Sequence, residues 1–141
     1  MNEYARSAQS YLAQRILTAS PEQQAALIME AGQRQLGKAI KAIADRNPVQ
    51  AAQHYIRILD VLSEAALRLN QEDGGELAQN LGKLYDWWTL EIMEASRLQD
   101  DARLRAVADQ MGEIRQAWEQ LHEKKVTERG TLEFELGDRV V

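Results

Sequence analysis

One spacing in this sequence suggests metal chemistry, because Glu119 and His122 stand three positions apart. On a helix this spacing places a carboxylate and an imidazole on the same side, as in the di-iron sites of helical bundles. Such a site needs a second pair of this kind and further glutamates from neighbouring helices. The other histidine, His54, has Ala51 three positions before it. We therefore predict no metal site, and metal analysis of the purified chain would test the alternative of a metal-dependent oxidase.

Other catalytic constellations are also missing from the sequence. The chain has no cysteine, so a thiolate nucleophile and a disulfide framework are impossible, and this composition suits a reducing compartment. No glycine-rich phosphate loop is present, because Gly74-Gly75 alone is a turn signal. The sequence therefore predicts that the protein is not an enzyme and has no cofactor.

The charge pattern excludes two classes of partner. The formal net charge is −5 and the acidic and basic residues are interspersed, whereas nucleic acid selects a basic face. The apolar runs are far shorter than the ~20 residues that span a bilayer, and residues 1–20 lack the features of a secretory signal. We therefore predict a cytoplasmic protein with no nucleic-acid partner and no membrane insertion.

Four helical patterns must position any functional surface. Both prolines stand at helix starts, where a missing N–H costs nothing. Connections of a few residues join the patterns, which favours an all-α fold, an antiparallel up-down four-helix bundle, over residues 20–125. A Ser20–Gln23 capping box marks the start of the first helix and Asn47-Pro48 the start of the second, which reaches about Glu72. Gly74-Gly75 precede the third helix, and Asp100 and Asp101 start the fourth.

The two ends do not fit the bundle pattern. Residues 1–19 read as an N-terminal arm, either a short helix or an extended segment. Residues 126–141 read as a short C-terminal tail in which Leu132, Phe134 and Leu136 would share one face of a strand. A mobile tail and a segment that docks on the bundle or on a partner both remain open.

Large apolar side chains and one glycine define the expected core. Trp88 and Trp118 project with the apolar stripes of helices 3 and 4, so core packing is favoured over a ligand pocket, whereas Trp87 lies at the edge of its stripe. Gly32 falls on the core stripe of helix 1, where it would allow another helix to approach closely. His54 is expected at a helix interface or on the surface, and His122 at the fraying end of helix 4.

Helix 2 carries more apolar residues than one core contact needs. With Leu59 and Ile56 taken on the core face, Ile58, Val61 and Ala65 widen the apolar arc to about 220°. Leu90 and Met93 of helix 3 likewise project off its core stripe. The surplus predicts a groove for a partner helix, and the alternative is that helix 2 touches two bundle neighbours and the arm. The predicted groove residues are Ile58, Val61, Ala65, Leu90 and Met93.

Two groups of residues resemble the flagellin-specific export chaperone family, FliS. The resemblance covers most of residues 11–118, and one departure lies in helix 1, where Met29 replaces the usual tyrosine. The first group is Tyr11, Ile16 and Thr18-Ala19-Ser20-Pro21; the second is Gly74, Gly75, Glu76, Ala78, Asn80, Leu81, Leu84, Tyr85, Glu94, Ala95, Leu104, Arg115, Ala117 and Trp118.

The resemblance implies a function in flagellum biogenesis. A chaperone of this family binds the C-terminal helical region of flagellin, prevents its premature polymerisation and presents it to the flagellar type III export gate. The resemblance also implies that the arm covers the groove when no client is bound, with Tyr11 and Ile16 as the gate. An anti-sigma factor or a flagellar assembly factor remains open as a second partner. The alternative function is a homo-oligomeric helical module that uses the apolar patch of helix 2 on itself.

Overall fold

The computed structural model describes the backbone of residues 19–69 and 74–140, and their side chains as far as residue 131. Within these residues the chain forms helices and no strand, which confirms the predicted all-α, four-helix class. The four helices are α1 Pro21–Ala44, α2 Pro48–Leu67, α3 Gly75–Leu98 and α4 Asp101–Val140.

Local side-chain caps start three of these helices. At α1, Ser20 Oγ accepts from the Gln23 backbone N–H at 3.1 Å and Gln23 Oε1 accepts from the Ser20 N–H at 3.0 Å, which confirms the capping box. Asn47 Oδ1 accepts from a backbone N–H of the first turn of α2 at 3.1 Å. Asp100 Oδ1 does the same for α4, at 3.1 Å from the Ala102 N–H. Each cap of this kind contributes about 1 kcal/mol.

The connection between α2 and α3 departs from the expected boundary. Helix α2 ends at Leu67, with Arg68 as its C-cap, rather than near Glu72. Helix α3 begins at Gly75, whose φ of +54° lies in the left-handed region that glycine adopts without strain. Gly74-Gly75 is therefore the turn that the sequence indicates.

The alternating pattern of the C-terminal segment does not form a strand. Helix α4 continues through Leu132, Phe134 and Leu136 to Val140. An alternation of only six residues has no second strand to pair with, whereas a helix that is already formed gains one hydrogen bond for each residue it adds. The division into an arm, a bundle and a tail at residues 20 and 126 remains a prediction.

The chain divides into two compact units. Residues 28–114 form one unit and contain segments of all four helices. The other unit combines residues 1–27 with 115–141, and its described part consists of the start of α1 and the end of α4.

Buried apolar side chains from all four helices form the core of residues 28–114. Trp88 is fully buried, as predicted, and its indole N–H donates to Gln110 Oε1 at 2.7 Å. The ring of Tyr85 stacks on Trp88, with 5.6 Å between the ring centroids. The largest fully buried side chains are Trp88, Met29, Leu36, Ile58, Ile92, Leu104, Met111 and Val107.

Glycines allow α1 and α4 to approach each other closely within this unit. A Cβ atom at Gly32 would lie 2.8 Å from Met111 Sδ and 3.5 Å from Val61 Cγ1. A Cβ at Gly112 would lie 2.8 Å from Gln33 Nε2, and that amide also donates to the Ala108 carbonyl at 3.2 Å. The close approach predicted at Gly32 is therefore confirmed.

Candidate partner-binding surface

The buried face of α2 is rotated from the face that the sequence predicts. Ile58 is 0% exposed and Ala65 is 5% exposed, so both belong to the core. Val61 is half-buried and faces Gly32 of α1. The placement of Ile58 and Ala65 in a surface groove is therefore wrong. The buried residues of α2 are Ala51, His54, Tyr55, Ile58, Leu62 and Ala65.

The opposite edge of the apolar arc of α2 faces outward. Ile56, predicted to lie in the core, is 62% exposed, and Ala52 and Ala66 are also exposed. Leu59 is half-buried, between the core face and Ile56. Successive helix positions differ by about 100°. When the centre of the buried face moves from Leu59 to Ile58, the edge with Ala65 becomes buried and the edge with Ile56 becomes exposed.

On α3 the sequence places Leu90 and Met93 off the core stripe, and both side chains face outward. Leu90 is 64% exposed and Met93 is 55% exposed. Trp88 and Ile92 stand two positions on either side of Leu90, about 200° around the helix, and both are fully buried. Leu90 therefore points away from the core.

The outward apolar residues of α2 and α3 lie at neighbouring levels along the two helices. The two helices run antiparallel and pack side by side, and Leu69 Cδ1 lies 3.8 Å from the Cβ position at Gly82, near their connection. Leu59 of α2 and Ile92 of α3 each stand ten residues from this contact, so these two residues lie at about the same level. Met93 comes eleven residues after Gly82, which is about three full turns, so both residues lie on the same face of α3.

We call Ile56, Leu59, Leu90 and Met93 the outer patch. An aliphatic side chain left in water forgoes about 1.5–3 kcal/mol that burial against a partner would provide. A group of such side chains at neighbouring levels on two adjacent helices forms a shallow apolar surface, and a partner helix can cover a surface of this shape.

Ion pairs hold the end of α3 near this patch. Arg97 bonds Glu94 through its Nε at 3.1 Å and through Nη2, and this bonding lowers the pKa of Glu94 and raises that of Arg97. Arg103 of α4 bonds both carboxylate oxygens of Glu91 at 3.2 Å. Both glutamates are therefore committed to structural contacts.

The residues considered for metal binding are engaged elsewhere. Glu119 Oε1 accepts from Arg115 Nε at 2.8 Å, and His122 Nδ1 lies 3.0 Å from Ser20 Oγ. His122 lies within α4 and not at a fraying end, because α4 continues to Val140. Across residues 19–69 and 74–131, no group of three or more His, Asp or Glu side chains could hold a metal ion.

A polar contact joins the start of α1 to the second half of α4 within the smaller unit. Glu22 is buried and bonds Lys125. This hydrogen bond is the largest cause that lowers the pKa of the Glu22 carboxyl, opposed by the cost of burial. Together with the contact between Ser20 and His122, it fixes the first turn of α1.

The contact predicts a pH-dependent contribution to stability. Because the pKa of Glu22 is lowered in the folded state, its contribution is present above the unfolded value of about 4.3 and is lost as pH falls below it. We expect Glu22→Gln to cost about 0.5–1 kcal/mol at pH 7, since Lys125 is largely exposed and screened. Urea unfolding at pH 7 and pH 3 measures the difference, which should shrink at pH 3. Glu123→Gln is the control, and equal effects of the two variants would contradict the role of the contact.

These features define a class of protein: a helical bundle with an outward apolar patch, whose candidate metal residues are committed to other contacts. The family model described as flagellar protein FliS matches residues 4–125, so the chain belongs to the FliS family. It is 29% identical over 103 residues to the flagellar secretion chaperone FliS of Vibrio cholerae, covering 73% of this chain and 76% of that protein. It is 25% identical over 110 residues to the protein of the same name from Salmonella typhimurium, covering 77% and 82%.

Membership of this family makes the chain a flagellar secretion chaperone and not an enzyme. A third relative, the flagellar secretion chaperone FliSB of Pseudomonas aeruginosa, is 26% identical over 101 residues, covering 72% of this chain and 80% of that protein. Within the described residues, no helix has the length and hydropathy of a membrane span. The predicted gate residues Tyr11 and Ile16 lie outside the described residues.

Proposed function

We propose that this chain is a cytoplasmic export chaperone that binds the C-terminal helical region of flagellin and delivers it to the flagellar type III export gate. The family and the names of the relatives support a secretion chaperone. The observation that carries the proposal is that Leu90 and Met93 of α3 and Ile56 of α2 are exposed apolar side chains on two helices that contact each other. This apolar surface suits a client that forms an amphipathic helix.

The binding site differs in part from the groove predicted by sequence. Leu90 and Met93 keep their proposed client contacts, and Ile56 and Leu59 join them because they lie outward on α2. Val61 is half-buried and borders α1, which leaves it a smaller part in client binding. Ile58 and Ala65 support the surface from beneath and do not touch the client.

The proposed mechanism rests on burial of the client's apolar stripe. A flagellin segment that packs on the outer patch removes from water the surface through which it would associate with other flagellin molecules. The segment orders as it binds, so part of the binding energy offsets its lost conformational freedom. Tyr11 and Ile16 are proposed to compete for the same surface when no client is present.

Calorimetry with a flagellin C-terminal segment from the same organism tests this function. We expect a one-to-one complex, a negative heat-capacity change from apolar burial and a gain in helical circular dichroism. Absence of binding to every flagellin of the organism would contradict the proposal. Sedimentation of the protein alone tests the alternative, because a homo-oligomeric module would associate through the outer patch without a client.

A further inference from the structure

A second polar surface lies where α1 and α2 face each other. His54 of α2 is only 8% exposed, and its Nδ1–H donates to Gln35 Oε1 of α1 at 2.9 Å. Three positions after each member of this pair stands a cation, Lys38 on α1 and Arg57 on α2. Residues three apart lie on the same side of a helix, so both exposed cations border the His54–Gln35 contact.

These two cations differ from their neighbours in their ion pairing. On α1, Arg34 lies 3.6 Å from Glu30 and Lys41 lies 3.2 Å from Asp45. By contrast, no carboxylate of residues 19–69 or 74–131 lies within 4.0 Å of Lys38 or Arg57.

The pKa of His54 reports the same electrostatic field. It is lowered chiefly by burial and then by the charges of Arg57 and Lys38. The imidazole is therefore neutral at pH 7 and adds no charge of its own. The charges that act on it are both positive, in a chain whose net charge is −5.

The geometry of the two cations defines the spacing of a partner. Helices α1 and α2 are antiparallel, so Lys38 and Arg57 lie in opposite directions from the His54–Gln35 level, each about 4.5 Å along the axis. Their separation of about 9 Å along the helices falls between one turn, about 5.4 Å, and two turns, about 10.8 Å, of a partner helix. Carboxylates one or two turns apart on one face of a helix can therefore reach both cations.

We propose that the Lys38–Arg57 surface docks an acidic helix of a protein partner, separately from the flagellin segment on the outer patch. The side chains of Lys and Arg supply charge-assisted hydrogen bonds to carboxylates. The neutral, buried His54 supports the surface without competing for the anion. This docking site does not depend on the proposed client, so the two proposals can fail independently.

The probe is a helical alanine-rich peptide with glutamates four residues apart on one face, and the matched peptide has glutamine at those positions. Binding is followed by nuclear magnetic resonance at the His54 ring and at the backbone amides of Lys38 and Arg57. We expect the glutamate peptide to shift these signals, with an affinity that falls as salt rises, and the glutamine peptide to leave them unchanged.

The double variant Lys38→Gln/Arg57→Gln should bind the glutamate peptide about fivefold more weakly, since each exposed pair contributes a modest free energy. The control Arg34→Gln/Lys41→Gln removes the same charge from cations that are already paired and should retain binding. Equal losses in both double variants would show attraction to net charge alone and overturn the proposal. If the protein binds anionic phospholipid vesicles through Lys38 and Arg57 more strongly than it binds the peptide, the proposal would be overturned in favour of a lipid surface.

Discussion

Replacing Ile58 by aspartate is expected to cost several kcal/mol of folding free energy and to leave much of the protein unfolded. The Ile58 side chain is fully buried, so a carboxylate there loses its hydration and gains no partner. Small domains are stable by only about 5–15 kcal/mol, so one such change removes a large fraction of the total. Urea unfolding followed by circular dichroism measures the loss.

The matched control is Ile56→Asp, two positions away on the same helix. Ile56 is largely exposed, so its replacement should change the free energy of unfolding by no more than about 0.5 kcal/mol. If Ile56→Asp destabilises the free protein as much as Ile58→Asp, then α2 does not turn Ile58 to the core and Ile56 to the solvent.

The second large effect concerns binding and not stability. We expect Leu90→Asp/Met93→Asp to weaken flagellin binding by about 100-fold or more. Each side chain would contribute about 1.5–3 kcal/mol when buried by the client, and about 1.4 kcal/mol corresponds to a tenfold change in affinity. The thermal melt of the free protein should be almost unchanged, because both residues are exposed.

Val49→Asp provides the control for this variant. Val49 is also exposed and apolar, but it lies in the first turn of α2, about 10 Å along the helix axis from Ile56, the nearest residue of the outer patch on that helix. The Val49→Asp variant should bind flagellin with the same affinity as the unmodified protein. A double variant that binds normally would exclude Leu90 and Met93 from the client site.

The helix starts could be predicted because their signals are local. Ser20 and Gln23 satisfy each other within one turn, and Asn47 and Asp100 bond backbone N–H groups two or three positions ahead. Such contacts depend on neighbouring residues alone. The C-terminal alternation failed for the opposite reason, because a strand depends on a partner strand from elsewhere in the chain.

The orientation of α2 could not be predicted from its own pattern. Hydrophobic periodicity locates an apolar arc, but an arc of about 220° is wider than the face that one core contact covers. The contacts that fix the buried edge come from α1, through Gln35 on His54 and Gly32 beside Val61. The polar residue His54 on the core side was the available signal, but it became informative only with its partner Gln35.

The link between Ser20 and His122 was also beyond the sequence pattern. The two residues are 102 positions apart, and each has an ordinary local explanation, as a helix cap and as a residue of the α4 seam. Trp118, expected in the interior on the same seam, is half-buried. The hydrophobic periodicity of α4 correctly predicted that Leu104, Val107 and Met111 lie in the core, because all three are fully buried.

Methyl-resolved nuclear magnetic resonance of the methionines tests the central claim most directly. Met29 and Met111 are buried in the core, whereas Met93 lies in the outer patch. On addition of the flagellin C-terminal segment, the Met93 methyl signal should shift or broaden strongly, and those of Met29 and Met111 should move little. A client that binds with full affinity and leaves the Met93 methyl signal unchanged would contradict a client site on the outer patch.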